Sequence, residues 1–202
     1  SNCFFENELE VLREFFEDKG IHAGVSRCFH SLEDMHEYYL QSINTLEMGK
    51  LINDEISVYL YEDYAIYNIA EACSRNGELE KYCHPSLLTL IEYDKQNNTS
   101  FTQTLYAYID CSKNITLTSN ALNIHRNTLF YRIKRIQEIM NVDLDSSNIL
   151  LQLHISFKMI EYEKSNAGVM SYVSPYLINV HHYFFKSYGN PHASSLPVQI
   201  NF

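Results

Sequence analysis

The chain has 202 residues, 46% of them hydrophobic and 20% charged, with a net charge of -10. That apolar content is enough to bury a substantial core in one or two domains, and no apolar run reaches the length needed to span a bilayer. Five cysteines, an odd number with no Cys-x-x-Cys, and the absence of a secretory pattern predict reduced thiols in a cytoplasmic protein, so the Asn-x-Ser/Thr matches at Asn97, Asn98 and Asn114 read as chance.

In chain order, Glu8 to Lys19 reads as a helix, His22 to Ser26 as a short strand after Gly20-Ile21, Leu32 to about Lys50 as a long helix and Ile56 to Tyr61 as a second strand. Two strands alone make a poorly covered sheet. The pattern therefore predicts that the rest of the sheet is missing or supplied by a partner chain, with dimerisation through the open edge. The start, Ser1-Asn2 without Met, reads as the edge of a fragment. Glu33, Asp34 and Glu37 most simply form a solvated helix face.

Further on, Ser100-Phe101-Thr102-Gln103 has the form of a capping box, and Phe101, Leu105, Tyr108 and Ile109 stripe the helix it opens. Thr116 is the expected N-cap of a short helix to about Leu122, with Leu117, Ala121 and Leu122 apolar and Ser119 small enough for a close crossing. Asn123 suits the left-handed backbone of a tight turn. From Arg126 to Met140, Leu129, Ile133, Ile136 and Met140 recur at helical spacing, which leaves Arg126, Asn127, Thr128, Tyr131, Arg132, Lys134 and Arg135 to solvent or a partner. Short helix, turn and longer basic helix make a helix-turn-helix. Ser146 or Ser147 opens a last helix bearing Ile149, Leu150, Leu153, Phe157 and Ile160.

The net charge opposes nucleic-acid binding, but its distribution does not. Ser112 to Arg135 holds five basic residues, Lys113, Arg126, Arg132, Lys134 and Arg135, and no acidic one, whereas Phe4 to Asp18 is crowded with carboxylates. Within a Debye length of about 10 Å, DNA responds to the patch and not to the sum. The same residues could be only a solvated helix face; the turn and flanking helices argue for more. His125 is equally a structural N-cap and a phosphate contact, and Tyr131 can pack on its own domain or reach a phosphate or a thymine methyl.

Other chemistry is weakly signalled. Cys73, Cys83 and His84 match no common zinc spacing, and His181, His182 and His192 are similarly unpaired, so no metal site is expected. Nothing in the spacing argues for a catalytic triad or a phosphate-cradling glycine loop. The aromatic-rich tail from about Ser165, interrupted by Pro175, Pro191 and Pro197, is expected to fold over the bundle or dock on a second subunit.

Several runs together carry a family resemblance. These are His84-Pro85 with Leu87, Leu88 and Leu90, Tyr93-Asp94, Thr104-Leu105, Tyr108-Ile109, Ala121-Leu122, Ile124-His125-Arg126-Asn127-Thr128-Leu129 and Tyr131-Arg132-Ile133. From about His84 to Tyr162 the chain resembles the C-terminal domain of the PucR family, which includes the carbohydrate diacid regulators. Ser119 and Asn123 depart from the alanine and the bulkier residue of that pattern. The resemblance implies a bacterial transcription factor with a variable effector-sensing region, often a degenerate GGDEF-like domain, and a Fis-related helix-turn-helix. The first strands and helices are similar to the second half of such a GGDEF-like domain, including Tyr61-Glu62-Asp63-Tyr64. No Gly-Gly-Asp/Glu-Glu-Phe occurs, so no cyclase chemistry is expected.

The expected architecture is mainly α: a partial, degenerate GGDEF-like α/β segment at 1–70, a helix-turn-helix bundle at 71–165 and a tail at 166–202. The expected function is sequence-specific, non-enzymatic transcription regulation. Helix 126–140 would lie in the major groove of double-stranded DNA, with His125, Arg126, Asn127, Thr128, Tyr131, Arg132, Lys134, Arg135 and Lys113 at the contact. No cofactor is expected; the expected partners are a second copy of the chain and a small-molecule effector bound by a region outside this chain. The alternative is an effector-sensing or dimerisation module whose helix-turn-helix no longer binds DNA.

Overall fold

The computed structural model describes residues 6–167, so the aromatic tail and its three histidines lie outside the described residues. Two compact units are present, one built from residues up to Tyr82 together with the stretch from Lys158, the other from Cys83 to Phe157.

The first unit opens with helix α1 (Glu6–Lys19), ended by Gly20 at φ 62°. There the Gly20 and Ile21 amides donate back to the Glu17 and Phe16 carbonyls, which closes the helix as a left-handed C-terminal residue does. Strands β1 (Ala23–Val25) and β2 (Val58–Leu60) pair in parallel, with Ala23 opposite Val58, and helix α2 (Met35–Ile52) is the crossover between them. Two glycines permit α2 to lie close to the strands. A Cβ on Gly24 would collide with the Ser42 carbonyl and Leu46, and one on Gly49 would enter the Tyr59 ring. The expected helix from Leu32 begins instead as a single 3-10 turn at Leu32–Asp34, and Tyr61 belongs not to the strand but to helix α3 (Tyr61–Ser74). Glu62 and Asp63 in the first turn of α3 suit the positive end of its dipole.

Tyr59, Tyr64, Tyr67, Val58, Met48 and Ala70 form this unit's core. Beside them lies a buried polar knot: the Lys158 ammonium donates to the Tyr67 hydroxyl at 2.8 Å and to Glu161 at 3.0 Å, and the Tyr67 hydroxyl donates to Glu161 at 2.6 Å. Arg27 grips Glu62 with two N–H groups at 2.9 and 3.0 Å and covers the Tyr61 ring. The expectation of reduced thiols holds for Cys73, Cys83 and Cys111 but not for Cys28, which is disulfide-bonded.

The second unit is helical. It contains α4 (Pro85–Asn97), α5 (Phe101–Asp110), α6 (Ile115–Ala121), α7 (Arg126–Met140) and the first half of α8 (Ser147–Asn166). Leu87, Leu90, Leu105, Leu129, Ile136, Leu153 and Phe157 fill its core. On α5 Phe101 and Leu105 are buried as expected, together with Thr102, Thr104, Tyr106 and Ala107, while Tyr108 and Ile109, expected in the stripe, are only partly covered.

Two caps also differ from expectation. Ser100 precedes α5 but makes no side-chain cap; the carboxylate of Asp94, late in α4, accepts the Phe101 and Thr102 amides at 2.9 and 2.7 Å. An ionised acceptor aimed at orphan amides makes a stronger bond than a serine hydroxyl, and it fixes α5 to α4 at the same time. At α6 the cap is Asn114, whose side-chain oxygen accepts the Leu117 amide at 3.0 Å, so Thr116 lies inside the helix. The buried residues of α6 are Thr118 and Ser119. Their hydroxyls donate to carbonyls of the preceding turn, to Asn114 at 2.7 Å and to Thr116 at 3.0 Å, so that two small polar groups can be buried without loss.

Candidate nucleic-acid interface

The turn between α6 and α7 is set by backbone hydrogen bonds. The Asn123 amide donates to Asn120 at 3.0 Å and the Ile124 amide to Ser119 at 3.0 Å, with Asn123 at φ 50°. This is a Schellman closure with Asn in the left-handed position. One residue after Ile124, His125 takes extended backbone and its Nδ1 accepts the Asn127 amide at 3.2 Å, which starts α7. Short helix, four-residue turn and long helix thus follow the sequence reading, and Asn123 and His125 hold the positions assigned to them.

Leu129, Ile133, Ile136 and Met140 are buried, and the opposite side of α7 is open. Arg126, Asn127, Thr128, Phe130, Tyr131 and Lys134 are all exposed. At the helix start, Arg126 and Thr128 flank Asn127, whose amide His125 already caps, and the positive end of the dipole there favours an anion. Arg126 and Lys134 make no ion pair with any described residue. Within this face the two cations are therefore unspent.

The other three predicted cations are engaged. Arg132 folds toward α5 and donates to Thr104 Oγ1 at 3.1 Å, with Ser100 Oγ at 3.5 Å. Arg135 pairs with Glu138 at 2.9 Å, and that carboxylate together with the Tyr93 hydroxyl raises its pKa. Lys113 donates to Asp145 at 2.9 Å, which holds its ammonium above the ordinary range. Lys113 also follows Ser112 in a pair of left-handed residues, φ 51° and 62°, so its direction is fixed by the turn after α5. Of the nine predicted residues, His125, Arg126, Asn127, Thr128, Tyr131 and Lys134 share the open face of α7. Arg132, Arg135 and Lys113 are turned to neighbours.

Sequence reasoning passed over Phe130, which is 55% exposed beside Tyr131 at 67%. The signal was present: Phe130 falls outside the 129, 133, 136 and 140 stripe, so a helix from Arg126 must present it to the surface.

Residues 101–159 match the PucR C-terminal helix-turn-helix domain. The match begins at α5 and runs through α6, the turn after it and α7 into α8. Similar proteins include the DNA-binding transcriptional activator AdeR of Bacillus subtilis (strain 168), 24% identical over 149 residues, which cover 73% of this chain and 35% of that protein. The proline-responsive transcriptional activator PutR of the same organism is 24% identical over 142 residues, 70% of this chain and 34% of that protein. The carbohydrate diacid regulator of Escherichia coli (strain K12) is 30% identical over 123 residues, 61% of this chain and 31% of that protein. The chain spans about a third of the length of these curated relatives. No solved structure matches it.

Proposed function

We propose that this chain is the DNA-binding part of a transcription regulator, with α7 as the helix that enters the major groove. The observation that carries this reading is the open face of α7. A helix whose other side is locked into a bundle presents Arg126, Asn127, Thr128, Tyr131 and Lys134 together, within a 24-residue stretch free of acidic residues. The names of the similar proteins support it.

Arg126, Asn127 and Thr128 occupy the first turn and are assigned to base edges, His125 and Lys134 to phosphates. Arg135 and Lys113 reach the backbone by exchanging exposed ion pairs for phosphate. Such pairs contribute only about 0–1 kcal/mol, so the exchange is easy. Arg132 holds α7 to α5 and reaches a phosphate only from that tethered position. The reading extends to a cytoplasmic, non-enzymatic protein whose effector binds outside this chain. It includes the division into a degenerate GGDEF-like segment at 1–70, the domain at 71–165 and a tail. A homodimer would place two copies of α7 in successive major grooves about 34 Å apart, on an inverted repeat.

The test is fluorescence anisotropy with duplexes selected from a random pool, across a salt series. Selective binding is expected, and Arg126→Ala should cost about 1–3 kcal/mol and relax preference at one base pair. Lys134→Ala should weaken every duplex alike and lower the salt slope by about one unit. Failure to bind any duplex at low salt would favour a sensing or dimerisation module instead.

A further inference from the structure

The open face of α7 holds two large aromatic side chains where a purely electrostatic DNA contact needs none. Asn127, Phe130, Tyr131 and Lys134 stand at i, i+3, i+4 and i+7, so they form a second continuous face, separate from the buried one. At its centre Phe130 is 55% exposed and Tyr131 67% exposed. Neither has a ring stacked against it among the described residues. Asn127 bounds the pair on one side and Lys134 on the other. A protein partner would suit the apolar centre, but a cation at the rim, Arg126 alongside and no acidic residue from Ser112 to Arg135 suit a polyanion.

In the major groove the apolar group available to such a pair is the C5-methyl of thymine. Resting on the DNA-binding reading above, we infer that Phe130 and Tyr131 are specificity-determining residues that recognise thymine methyls. Asn127, one turn earlier on the same face, carries the side-chain amide that pairs with the N6 and N7 edge of adenine. The preferred half-site therefore contains A·T pairs at its centre, read by one amide and two rings, with Arg126 at its edge. Phe130 has no hydrogen-bonding group, so thymine is distinguished from cytosine by the methyl alone at the position it covers.

The test replaces single thymines of the selected duplex by deoxyuridine, which removes the methyl and leaves base pairing unchanged. Burying one methyl is worth about 0.8 kcal/mol, so affinity should fall about three- to fivefold at one or two central positions and not elsewhere. Phe130→Ala and Tyr131→Ala, made separately, should each bind thymine and uracil duplexes equally at one of those positions, and Phe130→Leu should keep part of the discrimination. Both side chains are exposed, so circular dichroism should show the variants folded. Uniform affinity for all uracil-substituted duplexes, or discrimination that survives both alanine variants, overturns the inference while leaving DNA binding intact. Loss of binding to every duplex by the unmodified chain removes the reading it rests on.

Discussion

At the scale of single residues, charge alone did not predict which cations are free. Arg126 and Arg132 are indistinguishable by composition, yet one is open and the other lies against Thr104. Arg132 precedes the buried Ile133 and sits at the margin of the packed stripe, where a long side chain can cover a neighbouring helix while its head finds hydroxyls. Arg132→Ala should therefore lower the stability of the helical unit by about 0.5–1.5 kcal/mol through the lost hydrogen bond. Thermal denaturation of Arg132→Ala, Thr104→Val and the double variant checks this. The double variant should be less destabilised than the sum of the two, since both remove one interaction. Full additivity would mean that the contact carries no energy. The sequence showed that Arg132 is on α7 among the exposed polar and basic residues; it held no information on Thr104, 28 residues earlier, because that pairing exists only once α5 and α7 are packed.

At the scale of elements, the α6–α7 turn was legible, whereas the cap that reaches back to Asp94 was not, and at α6 Thr116 drew attention from the equally local Asn114. Asn123 and His125 act within two to four residues of their own position, so their side-chain chemistry announces them. Asp94 acts on amides seven and eight residues ahead, across the left-handed Asn98, and Ser100 offered a local alternative that looked sufficient. Asp94→Ala should cost about 1–2 kcal/mol, the upper part of the range for N-caps because two amides lose an ionised acceptor. Ser100→Ala should change stability little, since that hydroxyl caps nothing. Urea titrations of both variants make the comparison; equal losses would restore the capping box. The positions of β1, α2 and β2 followed from alternation and periodicity. The end of β2 did not, because Tyr61 is as acceptable in a strand as in the first turn of α3.

At the scale of the whole molecule, stability and pH are linked through side chains covered by the fold. Burial lowers the pKa of Lys164 from 10.5 to about 8, so between those values the unfolded chain binds the proton that the folded chain has released. Stability should rise as pH increases from about 8 to 10.5 on this account. Tyr59 works in the opposite sense: burial pushes its hydroxyl up to about 12, so the folded chain keeps a proton that the unfolded chain loses, and stability falls from about pH 10 upward. Melting curves from pH 7 to 11 should pass through a maximum on the alkaline side. Lys164→Met should flatten the rising limb and leave the falling limb in place; an unchanged rising limb would exclude Lys164 as its source.

The pairing of Lys113 and Arg135 with carboxylates also bears on how a target would be found. On the reading proposed above, with Lys113 and Arg135 exchanging their carboxylates for phosphate only on a target, each copy would meet arbitrary DNA with Arg126 and Lys134, which pair with no described carboxylate, and a pair of copies would displace about four counterions there. The corresponding logarithmic salt slope would be roughly -4, shallow for a regulator, and residence on non-target sequence would be correspondingly brief. On that proposed reading, such a protein would search a genome mainly by short hops through solution and only briefly by sliding, and its occupancy of a target would respond weakly to changes in potassium concentration.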